Sequence, residues 1–326
     1  MDSMAHGSVG VSIIPMRVGA RVAALAPGAE NDPAVKRALY EAWLAHGFLV
    51  FSRIDTIERH LAISRCFGEL ELHPMQEVRS TLNPLLIDLG GAKRNPSYVY
   101  DERDLRINRI PWHRDTAYTP DICKGAMLRM VEVPVHEGET LVADTAMAYD
   151  DLPETMRRTL EGLEYKATLR LGPIKQTRPG AIWTRVRPST LEEDPANLPS
   201  EDNPAVVRRY PSVVHPAVLT HPESARRCIF LSPTYVDQFL GLSAVESDEL
   251  LADITAHMLQ PRYIYEHKWQ ADDAILWDNR RCMHAGRGNR LDEPRWGLRT
   301  TLAGALRTGR FFSESDVPAD LPLLAD

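Results

Sequence analysis

The chain has 326 residues, 44% of them hydrophobic and 25% charged, with a formal net charge of −7. Those proportions belong to an ordinary soluble globule with a sizeable core, and on length alone to one or two domains. The acidic balance, without a lysine/arginine block, excludes nucleic acid as the expected partner, and no run approaches the roughly 20 apolar residues of a membrane span.

Residues 1–10 lack a basic stretch followed by an apolar run, so no signal peptide is expected, and this end is expected to be disordered. An entry strand follows around Ser12–Met16. Asp32, Pro33 and Gly47 punctuate a helix over Ala34–His46, with Val35, Leu39 and Trp43 four apart on its core face. Phe48–Phe51 is a continuous apolar run and predicts a buried strand. A second helix is expected over Thr56–Phe67, with Leu61 and Cys66 inward, and a strand over Glu69–Pro74. Residues 75–110 read as irregular, with Tyr98 and Tyr100 on one side if extended.

Beyond them, strands are predicted at Gly125–Val135 and Leu141–Asp144, and a helix opens at Asp150 and runs to about Leu163. Residues 173–212, rich in Pro, Arg and Glu, read as a lid or insertion. Val213–Leu219 and Arg227–Leu231 predict a hairpin. Ser247 is the expected cap of a helix ending near Leu259, with Leu250, Leu251, Ile254 and Met258 as its core stripe. Tyr263–Trp269, Ala274–Trp277 and Arg299–Gly304 are the last expected strands. Strands in the middle and end with helices at the front and in crossovers predict one mainly β domain with flanking helices, a double-stranded β-helix or jelly roll. The cysteines at 66, 123, 228 and 282 are not at metal-ligand spacing and read as reduced thiols of a cytoplasmic protein.

The chemistry concentrates in Pro111–Thr116. On a strand, His113 and Asp115 point the same way and bring an imidazole and a carboxylate to one point. His284 is available downstream as a third donor, and two imidazoles with one carboxylate make the facial triad of non-heme Fe(II) oxygenases. His113-Arg114-Asp115 also spells the start of a kinase catalytic loop, but position 120 is Pro where that loop needs Asn.

In this setting the chain resembles the taurine dioxygenase / 2,4-dichlorophenoxyacetate dioxygenase family of Fe(II)- and 2-oxoglutarate-dependent oxygenases, over roughly residues 35 to 305. The matching blocks are Phe67–Leu70 with His73-Pro74, Trp112–Asp115, Gly138–Leu141, His215-Pro216 with Thr220–Pro222, Trp277–Arg280 and His284, closed by Arg295 and Arg299. The resemblance implies that His113, Asp115 and His284 bind Fe(II), and that Thr140 and Arg295 hold the distal carboxylate of 2-oxoglutarate. It places Arg299 by the metal-proximal carboxylate, the substrate's acid group, or both, and His73 by the substrate's anionic head. Two departures stand out: Glu137–Thr140 replaces the usual Gly-Gly-Asp-Thr turn, and Ser224–Arg226 the usual Thr-Gly-Arg.

Arg295 and Arg299 would share one face of a strand in a run poor in charge, which favours inward arginines. The implied reaction consumes O2 and 2-oxoglutarate, releases succinate and CO2, and hydroxylates a small organic anion of sulfonate, alkyl sulfate or aryloxyalkanoate type. Thr116, Tyr118 and the two unmatched regions would choose among these. Two other classes use the same ligands: a jelly-roll metal-binding sensor, against which Arg295 and Thr140 argue, and a zinc hydrolase with Asp144 or Glu139 as base. A homo-oligomer is compatible with the sequence.

Overall fold

A computed structural model describes residues 10–73, 79–90, 98–101, 104–169, 183–186, 210–290, 292–304 and 306–313. The expected disorder at the N-terminus falls outside these residues except at Gly10. So do most of the expected lid over 173–212 and the side chains of Tyr98 and Tyr100.

The strands are β1 Val11–Pro15, β2 Ala20–Leu25, β3 Phe48–Phe51, β4 Leu86–Gly90, β5 Tyr98–Asp101, β6 Asp104–His113, β7 Gly125–Glu132, β8 Thr140–Asp144, β9 Glu164–Ala167, β10 Trp183–Val186, β11 Val213–Pro216, β12 Val218–Thr220, β13 Arg227–Ile229, β14 Val236–Phe239, β15 Ile264–His267, β16 Ala274–Asp278, β17 Cys282–Asn289, β18 Trp296–Leu302 and β19 Arg310–Phe311. The helices are α1 Pro33–His46, α2 Ile57–Ser64, α3 Thr145–Asp150, α4 Glu154–Leu160 and α5 Ala244–Met258.

Two large sheets, ordered β1-β2-β3-β16-β7-β18-β4 and β10-β5-β6-β17-β8-β15, form the jelly roll; a four-stranded sheet β14-β9-β11-β19 and the β12-β13 hairpin complete it. Strand β3 shows why both faces of the first sheet are apolar. Phe48 and Val50 face the second sheet, in one cluster with Leu128, Val142, Ile275 and Trp277. Leu49 and Phe51 alternate outward against α1 and α2, with Val35, Leu39, Trp43 and Ile63. A strand buried on both sides reads as an unbroken apolar run, and each such side chain contributes roughly 1.5–3 kcal/mol.

Local rules account for most helix ends. Asp32 accepts from the Ala34 N–H at 2.7 Å, Pro33 opens α1, and Gly47 closes it at φ 81. The expected Ser247 cap is corrected: Ser243 caps α5 in a capping box with Glu246. Ser247 lies one turn inside, its hydroxyl accepting from the Phe239 N–H.

Three further expectations differ. Glu69–Pro74 forms no strand among its described residues; it keeps one bridge, Leu70 to Leu302, beside the end of β18. Residues 75–110 are not irregular throughout, because β4 and β6 pair with β18 and β17. Within the described residues, Asp88 on β4 and Arg106, Asn108 and Arg109 on β6 lie on strands whose ladders satisfy the backbone. The expected helix from Asp150 divides into α3, capped by Asp144, and α4.

One glycine is demanded by the site. Gly90 ends β4 at φ +90, and a Cβ there would lie 2.0 Å from the Arg295 carbonyl oxygen. Gly90→Ala is expected to cost about 1–3 kcal/mol, read as a lower urea midpoint.

Candidate metal centre

The centre is built by strand register. His113 is the last residue of β6 and stands directly opposite His284 on β17. Directly opposite residues share a face of the sheet, so residues distant in sequence become neighbours, with ring centroids 4.2 Å apart. Asp115 lies just beyond the end of β6 rather than on the strand, where the chain turns and Thr116 takes φ 55. A second segment therefore aims the carboxylate: Asn279 accepts from the Asp115 N–H at 2.8 Å and donates to its carbonyl at 2.9 Å.

The donor atoms of His113, Asp115 and His284 all lie within 4.8 Å of one another, and all three residues are buried. His113 Nε2 is 3.6 Å from Asp115 Oδ1, and His284 Nε2 is 3.8 Å from Oδ2. His113 donates Nδ1–H to the Pro111 carbonyl at 2.8 Å, which leaves Nε2 with its lone pair free toward the centre. His284 is held by stacking on Trp277, 4.3 Å between centroids. Burial, then the neighbouring His113, hold its imidazole well below its usual pKa, hence neutral. Asp115 is held well below the usual carboxylate range: burial opposes its charge, but Arg299 and the two histidines outweigh that. Its Oδ2 is buried and accepts no hydrogen bond among the described residues. A buried, ionised oxygen with no donor among the described residues, facing the Nε2 atoms of two histidines, suits a divalent cation.

Two arginines enter from the other sheet. Arg299 on β18 donates to Asp115 Oδ1 at 2.7 Å and reaches Thr301 Oγ1 at 3.4 Å. Arg295 precedes β18 and does not share its ladder, yet it too is buried, at 6% exposure. Among the described residues its guanidinium meets the Gly138 carbonyl at 3.4 Å and no carboxylate. Burial with no offsetting anion lowers it to about 10. The Glu137–Thr140 turn keeps its shape with Glu137 and Gly138 at φ 62 and 85, and delivers Thr140 to β8, where its hydroxyl accepts from Trp269 Nε1 at 3.1 Å. A buried guanidinium that meets no carboxylate among the described residues, held at the Gly138 carbonyl two residues before Thr140, suits a carboxylate guest.

Of the other candidates, Tyr118 is buried, edge-on to Tyr235 and Tyr210 at 5.4 and 5.3 Å, and Tyr235 stands 6.4 Å from the His113 ring. The Thr116 hydroxyl accepts from the Cys123 N–H. His73 is half-buried, its carbonyl accepting from Arg79. Cys282 stays out of the cluster, its thiol against the Gly47 carbonyl. Asp144, one candidate hydrolytic base, is spent on a two-pronged ion pair with Arg281 and on capping α3.

Sequence reasoning left the supporting residues without roles. Arg114, fully buried, donates to the carbonyls of Asn279, Cys282 and Ile229 and to the Thr145 hydroxyl. His221 bonds Asp278 at 2.9 Å while its Nδ1 accepts from the N–H groups of Glu223 and Ser224. This closes the hairpin whose Ala225 takes φ 56 where glycine is usual. The signal available was position: Arg114 sits between two ligands, and Asp278 and Asn279 lie in the block leading to the third.

A jelly roll that gathers two imidazoles and one carboxylate, with a buried arginine that meets no carboxylate among the described residues, has the make-up of a non-heme metalloenzyme of the oxygenase type. The chain belongs to the taurine catabolism dioxygenase TauD, TfdA family, whose model matches residues 13–301. It is 30% identical over 257 residues to an (S)-phenoxypropionate/alpha-ketoglutarate-dioxygenase of Sphingobium herbicidovorans, covering 78% of this chain and 82% of the relative. An alpha-ketoglutarate-dependent sulfate ester dioxygenase of Pseudomonas putida is 27% identical, over 90% and 89% of the two chains. A taurine dioxygenase structure from Burkholderia xenovorans shares the fold, with TM-score 0.69 at 22% identity over 95% of this chain and 100% of that one. The protein is accordingly a 2-oxoglutarate-dependent dioxygenase, an oxidoreductase that works with Fe(II), 2-oxoglutarate and O2.

Proposed function

We propose that the protein hydroxylates a small organic acid, with His113, Asp115 and His284 holding Fe(II). In this reading Thr140 and Arg295 hold the distal carboxylate of 2-oxoglutarate. Arg299 receives the substrate's acid group, and His73, Thr116 and Tyr118 border the substrate. The iron and cosubstrate, when bound, supply the oxidising chemistry, with succinate and CO2 as coproducts. The protein's part is to aim donors, exclude water and fix the acid end. The observation that carries the reading is the convergence of three buried donor atoms, one bonded to Arg299, across the interior from the unpaired Arg295. Relatives acting on a phenoxypropionate and a sulfate ester support an acid or acid-ester substrate. We also place the protein in the cytoplasm, consistent with four buried free thiols.

The test is succinate release by purified enzyme with Fe(II), 2-oxoglutarate and O2 against sulfonates, alkyl sulfates and aryloxyalkanoates. Acceleration by one class is expected; no acceleration by any acid overturns the substrate reading. Arg295→Ala is expected to raise the 2-oxoglutarate KM about tenfold to a hundredfold, the worth of one charge-assisted bond. An unchanged cosubstrate KM would remove Arg295 from the clamp.

A further inference from the structure

We propose that Glu71 is a specificity-determining residue, whose carboxyl holds a hydrogen-bond donor, hydroxyl or amino, carried by the substrate next to the acid group received by Arg299. This rests on the acid-substrate reading above and narrows it.

Register places Glu71. Leu70 stands opposite Leu302, with the Glu71 N–H donating to the Thr301 carbonyl at 3.0 Å and the Ala303 N–H to the Glu69 carbonyl at 2.8 Å. Glu71 is therefore opposite Thr301 and shares its face. Thr301 and Arg299 are two apart on β18, and the Arg299 guanidinium touches the Thr301 hydroxyl. Leu72, the next residue, turns the other way and is 48% exposed, while Glu71 is half-buried.

The surroundings leave this carboxyl with work to do. Burial, opposed by a Gly304 N–H bond and by Arg299 and aided by Asp115, pushes it up to about 7. Arg299 attracts Glu71 and bonds Asp115 and Thr301, while its Nε–H has no partner among the described residues and is left for an incoming acid. The Gly304 donor is fixed, since a Cβ there would lie 1.9 Å from the Ile122 carbonyl oxygen.

Charge balance gives the selectivity. Asp115 already matches Arg299 within the pair. A bare acid bound at Arg299 brings its own oxygens to a second carboxyl and supplies no donor of its own, so the contact is made only if Glu71 first takes up a proton. A 2-hydroxy or 2-amino acid instead presents its acid to Arg299 and its donor to Glu71, so both buried groups are satisfied. Rejection of the bare acid arises from the unpaired acceptor it leaves.

The experiment uses two sets of probes with matched skeletons: 3-phenylpropionate, 3-phenyllactate and phenylalanine, and butyrate, 2-hydroxybutyrate and 2-aminobutyrate. Each is titrated calorimetrically into the Fe(II)–2-oxoglutarate enzyme without O2, then assayed for succinate release in air. The wild type is expected to bind a donor-bearing member of at least one set at least tenfold more tightly than its bare acid. Glu71→Leu and the near-isosteric Glu71→Gln should both cut that ratio, chiefly by improving the bare acid. Acids that bind with the same ratio in wild type and both variants overturn the Glu71 assignment alone. If no acid binds or accelerates turnover, the acid-substrate reading fails and this proposal falls with it.

Discussion

His113→Ala is expected to abolish turnover, with at least a thousandfold loss of succinate release, while the protein stays folded. In the proposed site the imidazole supplies one of three metal bonds, and its loss would open the set to water, as removal of a ligand generally does. Its structural cost is small, because its recorded hydrogen bond is to a carbonyl two residues away, and β6 keeps its ladder with β17. Asp115→Ala should be just as inactive but also less stable, because Arg299 then sits buried without its counter-charge. Breaking such a pair from one side costs about 3–5 kcal/mol. Iron per monomer, succinate formation and urea midpoints, measured on both variants, separate the two effects. Full activity in either variant would remove that residue from the metal site.

Arg114→Met is expected to destabilise the fold about as much as Asp115→Ala, although Arg114 lies outside the proposed set of metal ligands. Its guanidinium bonds four carbonyls and one hydroxyl drawn from the segments around 145, 229 and 279–282. Methionine fills much of the volume but strands those acceptors in a dry interior. Each orphan costs about 1–3 kcal/mol, so a loss near 3–5 kcal/mol is expected even after partial relaxation. Lysine should rescue little, since one ammonium cannot reproduce a planar fork. The measurement is the denaturant midpoint at constant slope; a shift below 1 kcal/mol would show that water replaces the fork.

The legibility of the chain follows the range of the forces involved. Caps and stripes are local, so Asp32, Gly47 and the run Phe48–Phe51 announced α1 and β3 almost to the residue. The expected cap at Ser247 missed Ser243 because the cap is made by the reciprocal bond of Glu246. Strands β4 and β6 were hidden because partners far along the chain, β18 and β17, hold them rather than any local period. The three donors were readable as residue types at a suggestive spacing. That Asp115 would sit past the strand end was not, because Asn279 sets its peptide from another element.

The facing of His113 and His284 has a consequence for how the enzyme comes into being. The two histidines belong to strands joined only by long-range pairing, a contact of high sequence separation that forms late in folding. A nascent chain therefore offers no complete metal pocket until β17 has been synthesised and docked, and iron cannot act as a template for early collapse. Arg299, already seated on Asp115, is the group that makes this order tolerable, keeping the carboxylate compensated while the folded protein awaits its metal. Under iron scarcity, the expected product of biosynthesis is a folded reserve competent to be charged, rather than a misassembled chain.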